Sequence, residues 1–141
     1  MVDTPRVATK VAELEQYLTE LSGIVPKRFS QYQAVEKKRS CERLLQLSIE
    51  CVIDVCKLLT IGLRLGVPAQ ENDLFDKLLK SGVFDRKTVA VLKKMRALRN
   101  ILVHEYAEIK DELVFEIVVK RRKEFGMVIK KVKRYLQANP R

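Results

Sequence analysis

Apolar residues recur along this chain at spacings of three and four, and no stretch alternates with period two for long enough to suggest a strand. The first periodic run is Val7, Val11, Leu14, Leu18 and Leu21. Thr4-Pro5 offers it a cap with Pro at the first helical position, and Gly23 and Pro26 stop it. A second helix is expected from about Ser30 to about Arg64, ended by Gly62, Gly66 and Pro68. It carries two adjacent apolar stripes, Leu44, Leu47, Cys51, Val55, Leu58 and Leu45, Ile49, Val52, Cys56, Leu59. So wide a face belongs to a central helix packed on more than one side.

Asn72 can cap a short third helix that buries Leu74, Phe75, Leu78 and Leu79 and stops at Ser81-Gly82. Asp85 is a cap for a fourth helix running to about Ala107, and Asp111 for a fifth reaching about Leu136. The expected fold is all-α, a single domain over 1–141 built as an antiparallel bundle of four main helices plus one short helix. No internal repeat or low-complexity tract interrupts it.

The fourth helix carries the chemistry. On a wheel of 100° per residue, Val91, Leu92, Met95, Leu98, Leu102 and Val103 fill an arc of about 140°. Arg99 and Tyr106 fall in its middle, about 20° apart. A charge on an apolar face needs a partner or a cleft. Arg99 is therefore either a structural arginine bonded to a tyrosine or carboxylate, or part of a site. His104 is the one histidine of the chain, and His alone has an ordinary pKa, about 6.5, suited to proton exchange near neutral pH. Five residues past Arg99, it projects about 140° away and stacks behind Arg96 and Asn100. Either the helix ends or distorts at Val103, or Arg99 and His104 meet across a subunit interface. A two-fold dimer would also supply a second imidazole.

Composition adds bounds. With 47% apolar residues in 141, the chain can bury a core. No apolar run reaches the roughly 18–20 residues of a membrane span. The start, MVDTPRVATK, lacks a signal-peptide core, so a cytoplasmic, soluble protein is expected. The net charge of +10 suits a polyanionic partner or simply a solvated surface. Eight Lys or Arg fall between Lys120 and Arg134 against one acid, Glu124. Lys120, Arg121, Arg122, Lys123, Lys130 and Lys131 are the candidate contacts to a nucleic-acid phosphate backbone, beside a buried stripe of Phe125, Val128, Ile129, Val132 and Leu136. The alternative is a solvated helix face. Aromatics for base stacking are few, which argues against sequence-specific readout by this helix. Cys41, Cys51 and Cys56 have no CxxC spacing and no nearby His, so reduced, partly buried thiols are expected and no metal site or cofactor.

Arg99-x4-His104-x-Tyr106, within RALRNILVHEYAEI, resembles the signature of HEPN-domain toxins of the HepT type. The likeness extends to ERLLQLSIECVIDVCKLL (Glu42 to Leu59), LLKSGVFDRKTVAVLKKMRALRN (Leu78 to Asn100) and DELVFEIV (Asp111 to Val118), about residues 6 to 136 in all. The resemblance implies a metal-independent ribonuclease acting as a homodimer. Arg99 and His104 of both subunits would line the cleft, with Asn100 and Arg96 in support. It also implies a nucleotidyltransferase-domain antitoxin that adenylylates Tyr106, and every motif position is kept. The chain has no nucleotidyltransferase loop or paired Asp motif of its own. Outside the enzyme class, the alternatives are a HEPN-like module binding RNA or a nucleotidyltransferase without cleavage, and, further off, a plain helical scaffold.

Overall fold

The computed structural model describes residues 1–140, except for the side chain of Tyr106. Seven α-helices and one 3₁₀ turn make up the described residues: α1 (Thr4–Ile24), α2 (Phe29–Tyr32), α3 (Val35–Gly62), α4 (Glu71–Lys80), α5 (Arg86–His104), the turn Tyr106–Glu108, α6 (Asp111–Lys120) and α7 (Lys123–Ala138). The expected all-α class holds. The expected count of four main helices and one short one does not, because two of the long helices are each broken in two.

α3 is the central helix its two stripes predict. It packs against α1, α2, α4, α5 and α6. Leu45, Ile49, Val52, Cys56 and Leu59 are at most 1% exposed, while Leu44 and Leu58 of the other stripe are half-buried. Direction follows from pairs of contacts. Met1 donates its terminal amine to the Gly62 carbonyl at 2.6 Å and Lys10 lies 3.6 Å from Asp54, so α1 runs antiparallel to α3. Arg122 bonds Ser22 and Lys133 bonds Glu15 at 3.2 Å, so α7 runs antiparallel to α1. Lys93 reaches Asp76 at 2.7 Å and Arg96 reaches Glu71 at 2.9 Å, which makes α4 and α5 an antiparallel hairpin. Gly82, at φ +83°, turns that hairpin; a side chain at this backbone angle is strained.

The helix starts differ from expectation in ways the caps explain. Asp3, not Thr4, caps α1, its carboxylate accepting from the Arg6 N–H at 3.2 Å. α4 begins at Glu71, ahead of Asn72. Asp73 reaches back to accept from the Ala69 and Gln70 N–H groups at 2.9 and 3.2 Å. Asp85 caps α5 as predicted, accepting from the Thr88 N–H at 2.8 Å. The expected second helix is interrupted at Gln33-Ala34. α2 is pinned separately, with Tyr32 fully buried and packed against Phe29 and Phe115 of α6 at ring separations of 6.2 and 5.1 Å. The expected fifth helix bends at Arg121-Arg122, within four consecutive cations. The bend lets Arg122 reach α1 while Arg121 pairs with Glu124 at 2.9 Å. Among the described residues, no helix is long and apolar enough to cross a membrane.

Candidate functional site

α5 exposes its chemistry at its C-terminal end. Val91, Leu92, Met95 and Leu102 are buried, so the wheel orients the helix correctly. Arg99 falls on the half-buried flank facing α4, its side chain 15% exposed. Its Nη2 donates to Glu71 Oε1 and its Nε to Asn100 Oδ1 at 3.0 Å. The same Glu71 oxygen accepts from Arg96 Nε at 2.9 Å. One carboxylate at the start of α4 therefore holds two guanidiniums spaced i, i+3 on α5. Like charges at that spacing repel, and Glu71 offsets the repulsion. A carboxylate in the first turn of a helix is also favoured by the helix dipole.

Glu71 is the site residue that sequence reasoning missed. As one carboxylate in a run with Asp73 and Asp76, it carried no mark of facing α5. Only the hairpin register brings it opposite Arg96 and Arg99.

His104 is the last residue of α5 and is exposed. The helix is regular to that point, with the Glu105 N–H donating to the Ile101 carbonyl at 3.1 Å. Distortion at Val103 is thus not the way Arg99 and His104 come together; within one chain they leave the helix about 140° apart. Two expectations about this end need correction. Val103 is 41% exposed rather than part of the buried arc. The helix stops at His104, not Ala107, so Tyr106 begins a 3₁₀ turn and the wheel no longer places it beside Arg99. The Tyr106 side chain lies outside the described residues.

The basic residues are not one ridge. Lys120 ends α6, Arg121 and Arg122 form the bend, and Lys123 opens α7. Arg121 is tied to Glu124, Arg122 to Ser22 and Lys131 to Asp85 at 3.2 Å, while Lys120, Lys123 and Lys130 are exposed. Thr88 and Lys131 hold the Asp85 carboxyl down to about 2. The thiols of Cys41, Cys51 and Cys56 are all buried and free. Burial pushes Cys51 up to about 11 and Cys56 higher still. Among the described residues, no group of three or more His, Cys, Asp or Glu is placed to hold a metal ion.

A helical bundle with an Arg-x4-His-x-Tyr motif running from the end of one helix into the turn that follows defines a HEPN-like class. The chain belongs to the Ribonuclease HepT-like family, whose model matches residues 14–132. It is 32% identical over 89 residues to the mRNA nuclease HepT of Shewanella oneidensis, covering 63% of this chain and 67% of that protein. It is 24% identical over 131 residues to the tRNA nuclease HepT of Aphanizomenon flos-aquae, covering 92% and 89%. Among solved structures it resembles a tri-AMPylated Shewanella oneidensis HEPN toxin in complex with its MNT antitoxin. The TM-score there is 0.84 at 27% identity, over 94% of this chain and 98% of that one.

Proposed function

We propose that this protein is a metal-independent endoribonuclease toxin, active as a homodimer and neutralised by a nucleotidyltransferase antitoxin that adenylylates Tyr106. The observation that carries the proposal is the end of α5. Arg99 is turned toward α4, and His104 stands exposed on the last residue of a regular helix. A site that uses both needs a second copy. Family membership supports the chemistry, since two relatives are named as nucleases of RNA.

The reaction follows from the residue types. The ribose 2′-oxygen attacks the adjacent phosphorus and loses its proton to one imidazole. The P–O5′ bond breaks, and the imidazolium of the second subunit gives its proton to the leaving 5′-oxygen. The products are a 2′,3′-cyclic phosphate and a 5′-hydroxyl. A positioned acid or base contributes about 10² to 10⁴ in rate. Arg99 stabilises charge on the phosphoryl oxygens through its planar fork, with Arg96 and Asn100 in support. Lys120, Lys123 and Lys130 are exposed for phosphate contact. Arg121, Arg122 and Lys131 would have to share their existing partners with the RNA.

A second reading is favoured by one observation: Arg99 already has a carboxylate partner in its own chain, as a structural arginine would. On that reading the protein is a module that binds RNA or the nucleotidyltransferase without cleaving. Cleavage of bulk cellular RNA in EDTA, beside His104→Ala, separates the two. Cleavage by the wild type alone, leaving cyclic-phosphate ends, is the expected result. No cleavage by wild-type protein that mass spectrometry shows free of AMP would establish the binding module instead.

A further inference from the structure

We infer that Glu71 is a positioning residue that assembles Arg96 and Arg99 into one two-guanidinium site for a single phosphodiester of the RNA. The inference rests on the proposed nuclease reading and deepens it. Glu71 spends one oxygen, Oε1, on both arginines. Arg96 is held through Nε, and Arg99 through Nε (to Asn100) and Nη2. No hydrogen bond among the described residues uses Nη1 or Nη2 of Arg96, or Nη1 of Arg99. Both guanidiniums are thus anchored by Glu71 and still have donors to spare: Arg96 keeps its whole Nη pair, the edge that forks onto a phosphate, and Arg99 keeps Nη1.

The charges fit one substrate group. Two guanidiniums and one carboxylate sum to +1, matching the single negative charge of a phosphodiester. The site is also half sheltered, with side-chain exposures of 15% for Arg99, 25% for Arg96 and 24% for Glu71. A guanidinium there is worth more to an anion than one in open water, yet remains reachable. Without the carboxylate the two arginines, one helical turn apart, would splay. The anion site would lose its geometry while gaining positive charge. Glu71 itself touches no reacting atom.

That combination sets an unusual signature. Removing the carboxylate should leave RNA binding intact or tighter, because a negative charge is lost, while slowing the chemical step. Misplacement of a catalytic group by about 1 Å can cost 10²-fold. Glu71→Gln should therefore lower kcat about 10- to 100-fold with KM unchanged or reduced. Glu71→Asp, which keeps the charge on a shorter arm, should recover part of the loss. A merely structural Glu71 would lower the melting temperature and leave kcat per folded molecule alone. An unchanged kcat in folded Glu71→Gln overturns the inference, and so does a raised one, which would make the carboxylate inhibitory.

A binding arm decides the matter even if nothing is cleaved. The probe is a fluorescent, uncleavable 2′-O-methyl RNA oligonucleotide. Arg96→Ala should weaken its binding several-fold in the wild-type background and less than about twofold beside Glu71→Ala, since the pair acts as a unit. Equal penalties in both backgrounds overturn the inference without touching the nuclease reading. A wild type that binds the probe but cleaves no RNA overturns the nuclease reading, and the same cycle still judges the arginine pair.

Discussion

Replacing Arg99 by Ala separates a catalytic arginine from a structural one, because the structure predicts that stability and activity respond unequally. Arg99 is 15% exposed and its carboxylate partner 24%, so the pair is neither a surface pair nor fully buried. Exposed pairs are worth about 0.2–1 kcal/mol. Breaking a buried one costs about 3–5 kcal/mol, because it strands an unpaired charge. Here the stranding does not occur: Arg96 still holds Glu71 Oε1 at 2.9 Å after Arg99 is gone. Adding the lost packing of the side-chain stem, the expected cost is about 1–2 kcal/mol. In a domain of this size that lowers Tm by roughly 3 to 8 °C. Activity should fall much further. Removing one preorganised donor to a developing oxyanion costs about 10² to 10³ in kcat. The assay is a thermal melt beside single-turnover cleavage of an RNA oligonucleotide, with the rate expressed per folded molecule. Arg99→Lys should sit between, because an ammonium cannot hold Glu71 and fork onto a phosphate together. A Tm loss corresponding to 3 kcal/mol or more, with the rate per folded molecule unchanged, would refute the reasoning and return Arg99 to a structural role.

Three further outcomes are expected. Asp85 has its carboxyl held at about 2 by Thr88 and Lys131, below the ordinary 3.8; its contribution to stability is present above the ordinary value and lost as pH falls through about 2. Asp85→Asn keeps a capping side chain and should flatten the dependence of Tm on pH between about 4 and 2; an unaltered curve would show that other carboxylates govern it. Cys51, pushed up to about 11 by burial, and Cys56, pushed higher, hold little thiolate at neutral pH, so iodoacetamide should label the native protein slowly and all three cysteines only after unfolding. Mass spectrometry of labelled peptides checks this, and fast native labelling of Cys51 would contradict it. Tyr106→Phe should resist neutralisation by the antitoxin with its cleavage rate kept, as read by mass gain and RNA decay; a Tyr106→Phe protein still silenced with an AMP mass added would place the modification elsewhere.

What the sequence made legible was set by periodicity, and what it hid was set by contacts between distant elements. The α3 stripes, the Asp85 cap and the stop at Gly82 are local, and each stands where the pattern puts it. The interruption after Tyr32 is not local: it follows from the packing of Tyr32 on Phe115, 83 positions away in sequence by their numbers. The bend at Arg121-Arg122 leaves no trace in the apolar pattern, because Val118 and Phe125 stay seven residues apart on one face of an uninterrupted helix. The candidate site divides the same way. Arg99 was marked by being charged on an apolar face and His104 by being the chain's one histidine. Glu71 was silent, because an acid at a helix start is ordinary until the α4–α5 hairpin turns it onto two arginines.

In the proposed site, the end of α5 also sets how subunits should count. His104 is the one imidazole per chain, whereas the proposed cleavage takes a proton with one imidazole and gives a proton with another. Val103, exposed beside it, is an apolar residue that a second copy would cover in the proposed dimer. If each site draws a histidine from both subunits, a dimer with one His104→Ala subunit is dead. Wild-type and His104→Ala chains, unfolded together and refolded in a fixed ratio, should then show activity that falls as the square of the wild-type fraction. An equal mixture would retain about one quarter, the share of wild-type homodimers under random two-fold pairing. If each subunit carried a complete site, activity would fall linearly and the equal mixture would retain about one half. Size-exclusion chromatography establishes that the mixture is dimeric, and differently tagged subunits establish that they have exchanged. A linear fall in exchanged dimers would rule out the shared site even if the protein cleaves RNA, and would leave a single imidazole to both give and take the proton.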